Sequence, residues 1–255
     1  ASICLNVGMS KKSPPAFEKY RFWNGWIEVI FVAIQFTRDD MTYDGAPTDP
    51  ATMFEGLPTS VISDCMGRLS GTAALAPRHG DAPMVGRALT VRVRAGDNLF
   101  IHDALRRVTP GSVIVVDGGG CTERALIGEI IMAVARDRGA AGFVIDGSVR
   151  DVAAFRDAGF PCYARGVTHR GPYKNGPGEV GCPIVIDGQP VFPGDFVLGD
   201  EDGVVFVRPD DAAAVAAAAR SKLADEADTL GAIKNGTYDE SWVEAAVAAS
   251  VPLRP

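Results

Sequence analysis

Short, continuously apolar runs alternate with longer stretches of helical periodicity through the middle of this chain, and glycine or proline marks most of the changes. Ser112 to Val116 reads as a short, continuously apolar strand, and Phe143 to Ile145 as a second strand. Between them, Ala125, Leu126, Ile130, Met132 and Val134 predict a helix over 122–138, after which 139–142 returns the chain to the second strand. Strand, helix and strand in this order predict a parallel βαβ unit with a right-handed crossover. Upstream, Thr59 or Ser60 is placed to cap a helix through Val61, Ile62, Cys65, Met66 and Leu69 that Gly71 ends. A strand is expected over 87–93 and a helix over 98–107, with Pro110-Gly111 as a turn. Downstream, 183–186, 196–198 and 204–207 read as short strands separated by Asp187-Gly188, Pro193-Gly194 and Asp202-Gly203. Pro209 opens an alanine-rich helix reaching about Leu230, and a last helix is expected over 239–249.

The first forty residues do not share this pattern. The apolar stretch 26–36 contains Glu28 and is too short to span a bilayer, and no basic segment with a small-residue cleavage site marks a signal peptide. Residues 1–40 read either as an extension outside the fold or as an arm that packs on a neighbouring subunit, and 41–255 as a single domain ending in C-terminal helices.

Charge and cysteine content narrow the partners. With 25 Lys and Arg against 32 Asp and Glu, the 255-residue chain carries a net charge of −7 and no compensating basic run, which argues against nucleic acid or a membrane surface as the main partner. The five cysteines form no C-x-x-C pair, and their odd number fits a reduced cytoplasmic setting better than a disulfide framework. His79, His102 and His169 are too scattered to suggest a zinc site.

The candidate chemistry lies at the ends of the two predicted parallel strands. Asp117-Gly118-Gly119-Gly120-Cys121-Thr122 follows the first, with Glu129 further on; Asp146-Gly147-Ser148-Val149-Arg150-Asp151 follows the second. Both connections should open at the carboxyl edge of the sheet, where open α/β sheets bind ligands. A glycine run at a helix N-terminus offers backbone amides to an anion, and a neighbouring guanidinium can grip a carboxylate or enolate oxygen with paired donors. Asp151 and Glu129 are hard oxygen ligands suited to Mg²⁺ or Mn²⁺. An anionic oxo acid bound with a divalent cation is the implied substrate type. Each residue also has a plainer reading: Asp151 as the N-cap of a helix over 151–158, Arg150 as a solvated charge, Glu129 as a mid-helix surface residue, and the glycines as a tight turn.

The spacing of Glu129, twenty residues, then Arg150-Asp151, with the Gly-Gly run leading to Gly128-Glu129 and the Asp-Gly-x-x-Arg-Asp turn, resembles the RraA-like family over roughly 55–208. That family includes metal-dependent class II pyruvate aldolases acting on 4-hydroxy-4-methyl-2-oxoglutarate and 4-carboxy-4-hydroxy-2-oxoadipate. The resemblance implies a swivelling β/β/α sandwich of the α/β class assembled as homotrimers or homohexamers, with the site at a subunit interface. It implies Asp151 as the direct metal ligand, Glu129 as the holder of metal-bound water, Arg150 at the enolate oxygen, and the backbone of Gly119, Gly120, Cys121 and Thr122 around the pyruvyl carboxylate. A neighbouring subunit's carboxylate would complete the site, with Asp225 or Glu226 as its candidates here. No histidine lies near the motif in sequence, so a metal-linked water is the expected base. Asp117 and Asp146 are expected to brace loops, and Arg165, His169, Arg170 and Lys174 to form a solvated basic loop. The same family contains a regulator that inhibits an RNA-degrading endonuclease, which makes a non-catalytic binding protein the alternative. A dinucleotide-binding or methyltransferase reading of the glycine run fails, because the G-x-G-x-x-G pattern needs glycine where Glu123 stands.

Overall fold

The computed structural model describes residues 17–22, 25–30 and 49–250, and the chain divides into two units, 1–44 and 45–255. In the first unit, β1 (Phe17–Phe22) and β2 (Gly25–Ile30) form an antiparallel hairpin; the rest of the expected extension lies outside the described residues.

The second unit runs α1 (Pro50–Phe54), α2 (Thr59–Cys65), β3 (Ala76–Pro77), β4 (Met84–Val93), α3 (Leu99–Leu105), β5 (Ser112–Ile127), α4 (Glu129–Asp137), β6 (Gly142–Val149), α5 (Val152–Ala158) and β7 (Cys162–Val167). Short strands follow, β8 (Gly178–Val180), β9 (Ile184–Ile186), β10 (Gln189–Val191), β11 (Phe196–Asp200) and β12 (Gly203–Val207), before α6 (Pro209–Lys234) and α7 (Ser241–Ala249). The main sheet has the order β12-β11-β4-β5-β6-β7-β3, with β8 also paired to β4. Its centre, β4 to β7, is parallel, while β11, β12, β3 and β8 join antiparallel. The expected α/β class and parallel βαβ unit are therefore present.

Alternation along the central strands divides the core. Ile114, Val116, Phe143, Ile145, Cys162 and Ala164 face α3, α4 and α5, whereas Val113, Val115, Val144 and Tyr163 face a second cluster with Ile184, Ile186 and Val191 of the β9–β10 hairpin. Covering on both faces explains why these strands read as continuous apolar runs. A third cluster packs Phe54, Val61 and Ile62 with Ala212, Ala216 and Ala219 of α6 against Phe196, Leu198, Val205 and Val207. There the alanines of α6 allow close approach to the sheet.

Two expectations about helix ends are corrected. The helix expected from Thr59 to Gly71 ends at Cys65, and its cap position is Pro58. Thr59 instead binds the carboxylate of Asp200 through its amide (2.8 Å) and hydroxyl (2.6 Å), so a residue from β11 does the capping.

The larger correction concerns the predicted helix over 122–138. The strand expected to stop at Val116 continues to Ile127, and α4 begins only at Glu129. Asp117, Cys121, Ala125 and Ile127 oppose Asp146, Gly147, Ser148 and Val149 in turn, so β5 shifts register against β6 three times, with residues 118–120, 122–124 and Leu126 as the extra ones. Ala125, Leu126 and Ile127 are buried in the strand; their apolar spacing suits either structure, and tertiary pairing decides.

Candidate active site

The resumed ladder aligns Ile127 with Val149, and the Arg150 amide donates to the Ile127 carbonyl at 3.0 Å. This places Gly128 and Glu129 beside Arg150 and Asp151. The Glu129 amide donates to Asp151 Oδ2 at 3.1 Å, and Arg150 Nε stands 3.6 Å from the same oxygen. Asp151 is thus no ordinary N-cap: it adopts the left-handed conformation (φ 57°), makes no side-chain bond to its own helix, and turns its carboxylate to the start of α4. Such a backbone is costly for a residue with a Cβ and is held here by the surrounding turn. Glu129 is the first residue of α4, not mid-helix, and is exposed. Gly128 has ordinary extended backbone, but an added Cβ would collide with Asp151 Oδ2 and lie 2.9 Å from Arg150 Cγ. The need for glycine here is close approach.

A cavity of about 120 Å³ opens at this junction, lined by Gly128, Ile130, Ile131, Arg150 and Asp151 together with Asn98 and His102 from the α3 region and Pro172 and Lys174 from the segment after β7. The first intrahelical bond of α4 runs from Met132 to Gly128, which leaves the amides of Ile130 and Ile131 without an intrahelical acceptor at the cavity. Anion-seeking amides at a helix start are therefore present at Ile130 and Ile131, and the helix start is not at Gly119, Gly120, Cys121 and Thr122. Those four lie in the irregular part of β5, with Cys121 paired to Gly147 and the others outside the ladder, and do not line the cavity; the glycine run opens no helix.

Segment 170–176, whose Pro172 and Lys174 line the cavity, is firmly strapped. Asp97 accepts from the amides of Leu99 (2.9 Å), Asn175 (2.7 Å) and Gly176 (3.0 Å). Arg124 donates to the Gly171 carbonyl and to the Tyr173 hydroxyl, both at 2.8 Å, and its guanidinium lies over the Tyr173 ring. Burial pushes the Asp97 carboxyl up, yet the three amides and the Arg94 charge outweigh it and hold it below the usual carboxylate range.

The remaining expectations separate clearly. Lys174 lines the cavity and is not merely part of a solvated loop. Arg165 is engaged by Asp146 (2.6 Å) and Asp187 (2.9 Å), while Asp146 also accepts from the Asp187 amide. Asp117 braces its own loop by accepting from the Gly119 amide at 3.1 Å. His169 and Arg170 are exposed, and the Arg170 carbonyl accepts from the Ala125 amide. On α6, Glu226 pairs with Lys222 at 3.2 Å and Asp225 lies on the same helix. Among the described residues, no three His, Cys, Asp or Glu side chains gather as a metal-binding group, and no helix is long and apolar enough to cross a membrane.

His102 and Asn98 are the site residues that sequence spacing missed. Asn98 is the cap residue of α3 and His102 lies one turn further along it, and their only signal is this i,i+4 relation. Burial first, and then the Lys174 charge, hold the His102 imidazole below its ordinary pKa, which favours the neutral ring.

Residues 59–206 match the RraA-like family, described as Aldolase/RraA. The chain belongs to this family. Among its RraA-like relatives, a protein of Halalkalibacterium halodurans with the provisional name of a 4-hydroxy-4-methyl-2-oxoglutarate aldolase is 38% identical over 182 residues, or 71% of this chain and 87% of its own length. An uncharacterized Pseudomonas syringae structure superposes with a TM-score of 0.68 at 29% identity, covering 76% of this chain and 96% of that one. The RNA-processing inhibitor RraA of Thermus thermophilus superposes at 0.54 with 33% identity, covering 59% and 92%. The names among these RraA-like relatives support an aldolase, a carbon-carbon lyase, and include an inhibitor of RNA processing.

Proposed function

We propose that this chain is a divalent-metal-dependent pyruvate aldolase that cleaves a 4-hydroxy-2-oxo dicarboxylic acid, such as 4-hydroxy-4-methyl-2-oxoglutarate, to pyruvate and a second oxo acid. The observation that carries the reading is the convergence of Arg150, Asp151 and the opening amides of α4 on one cavity that also holds Lys174. Three of these features attract anions and the fourth is a hard oxygen donor. That donor set fits Mg²⁺ or Mn²⁺, which take one or two carboxylates and keep several waters, better than a caged zinc site.

Asp151 would hold the cation directly and Glu129 would hold one of its waters. The ion, when bound, supplies Lewis acidity to the oxygen on which enolate charge develops. Arg150 presents a planar fork of donors to the same developing charge, in a position fixed by the β5–β6 register. The amides of Ile130 and Ile131 orient the pyruvyl carboxylate, and Lys174 draws the carboxylate at the far end. Oxaloacetate would yield the same enolate on losing CO₂, so decarboxylation is the expected side activity.

A cytoplasmic homotrimer or homohexamer is part of this proposal. Ile130 is 76% exposed beside the cavity, which supports a covering subunit, and Asp225 or Glu226 on α6 would be the carboxylate offered in exchange. The second reading, a regulator of RNA processing, draws on the Thermus relative; a purely interacting chain would have no need of Arg150, Asp151 and Glu129 together.

The test is pyruvate release from 4-hydroxy-4-methyl-2-oxoglutarate and from oxaloacetate, with Mg²⁺ or with EDTA, for the parent and Asp151→Ala proteins. Metal-dependent turnover lost in the variant is expected; absence of turnover of both acids by folded, metal-supplied parent protein would favour the regulator.

A further inference from the structure

The lining of the cavity contains a feature that the cleavage chemistry above does not use. Asn98 is 3% exposed, and its Nδ2 donates to the Leu126 carbonyl at 2.9 Å. That bond fixes the side-chain orientation and leaves Oδ1 as an acceptor, yet Oδ1 has no hydrogen-bond partner in the protein. One helical turn on, His102 Nε2 is likewise buried and without a partner. Both residues line the cavity that Arg150 and Asp151 also line. Buried polar atoms are nearly always satisfied, so two orphans one turn apart at one cavity call for a group that the chain itself does not provide.

The chemistry of the pair selects that group. An amide oxygen accepts only, and a neutral imidazole nitrogen donates or accepts according to tautomer. A carboxylate would suit the imidazole donor but would meet the amide oxygen with like polarity. A hydroxyl donates one hydrogen bond and accepts another, so it can satisfy both atoms at once. The Lys174 charge is felt at His102 and draws carboxylates to this region, so it is the unpartnered Asn98 oxygen, an acceptor alone, that selects a hydroxyl.

We propose that Asn98 and His102 form a hydroxyl-reading subsite, which holds the alcohol group of the substrate and distinguishes hydroxylated oxo acids from oxo acids that lack it. This rests on the aldolase reading for the identity of the substrate, and it adds a specificity determinant on α3. Nε2 and Oδ1 are shielded from bulk water, so the hydroxyl reaches them with local adjustment of the two side chains as the acid enters.

The experiment compares three reactions of the same metal-loaded protein: cleavage of 4-hydroxy-4-methyl-2-oxoglutarate, decarboxylation of oxaloacetate, and exchange of pyruvate methyl protons in D₂O followed by NMR. Only the first substrate carries the hydroxyl. Parent, His102→Leu and His102→Gln proteins are measured. In His102→Leu, kcat/KM for cleavage should fall at least about 100-fold while decarboxylation and exchange change less than about threefold, because a site built to bond a hydroxyl discriminates strongly by it. In His102→Gln, which restores a hydrogen-bonding atom, part of the cleavage loss should return. Equal losses in all three reactions, or no selective loss of cleavage in either variant, overturn the subsite. If His102→Leu does not fold, a selective cleavage defect in His102→Gln supports the proposal and an unselective one overturns it. Should the parent protein catalyse none of the three, the aldolase reading fails with the subsite; activity in the parent with unselective variants rejects the subsite alone.

Discussion

Arg165 and Arg150 stand near the carboxyl ends of neighbouring parallel strands, but they are bonded in opposite ways. Arg165 is clasped by two carboxylates, and one of them, Asp146, has a side chain only 8% exposed. The other, Asp187, accepts from the Ala73 and Ala74 amides, which with Arg165 outweigh burial and hold its carboxyl below the usual range. Every partner in that cluster answers another, and the result ties the β9–β10 turn and the segment near 73 to β6 and β7. Arg150 instead has a half-exposed Asp151 at 3.6 Å, and two polar atoms of residues that line the same cavity have no partner at all. Closed bonding marks a brace, whereas open bonding marks a place kept for something else.

The sharpest way to break the contrast is Asp151→Ala. Loss of metal-dependent pyruvate release by at least about 10³-fold, with a denaturant midpoint near that of the parent, is expected, since this change removes a proposed ligand but no core contact. Arg165→Ala should do the reverse. It leaves Asp146 buried without its cation, for a loss of about 3 kcal/mol in urea unfolding and a small change in activity per folded molecule. A larger effect on activity than on stability would bring Gly119, Gly120, Cys121 and Thr122 back into the site, because Gly120 faces Arg165.

Gly128→Ala sharpens the comparison from within the cavity. The new methyl meets Asp151 Oδ2 and Arg150, so kcat/KM should fall by about 100-fold through displacement of the two side chains, while unfolding changes little because the backbone there is ordinary. Unchanged kinetics would mean that this corner does not set the rate.

The smallest effect concerns acid. Asp97 has a lower pKa folded than unfolded, so its contribution is fully present above the unfolded value, about pH 4, and is lost as pH falls through the folded one. Between about pH 5 and pH 2, Asp97→Asn should show a shallower loss of stability than the parent by thermal unfolding, and an equal slope would remove Asp97 as an acid-sensitive strap.

Much of this frame was legible in the sequence, for reasons that particular residues make clear. The runs at Val113–Val116 and Phe143–Ile145 announced strands, and the spacing of Glu129, Arg150 and Asp151 announced their convergence. The helix start was misread because Ala125, Leu126 and Ile127 are apolar in a pattern that both helix and strand accept. Nothing local reports that Ser148 and Val149 are waiting to pair with them. Gly118-Gly119-Gly120 looked like the anion loop because glycine allows both a bulge and a helix entry. Asn98 and His102 were invisible for a different reason: their meaning depends on bonds that are missing, and a sequence does not show which atoms lack partners.

The course of β5 has a consequence for inheritance. Because the strand shifts register three times and is paired again at Ile127, changes of length or residue at 118–120 and 122–124 can be absorbed where they occur without being passed on to the pairing of Ile127 with Val149. The surface can thus be rewritten over generations without moving the corner where Arg150 and Asp151 meet Gly128. A family whose members bear the names of an aldolase and of an inhibitor of RNA processing is what such a division of labour permits.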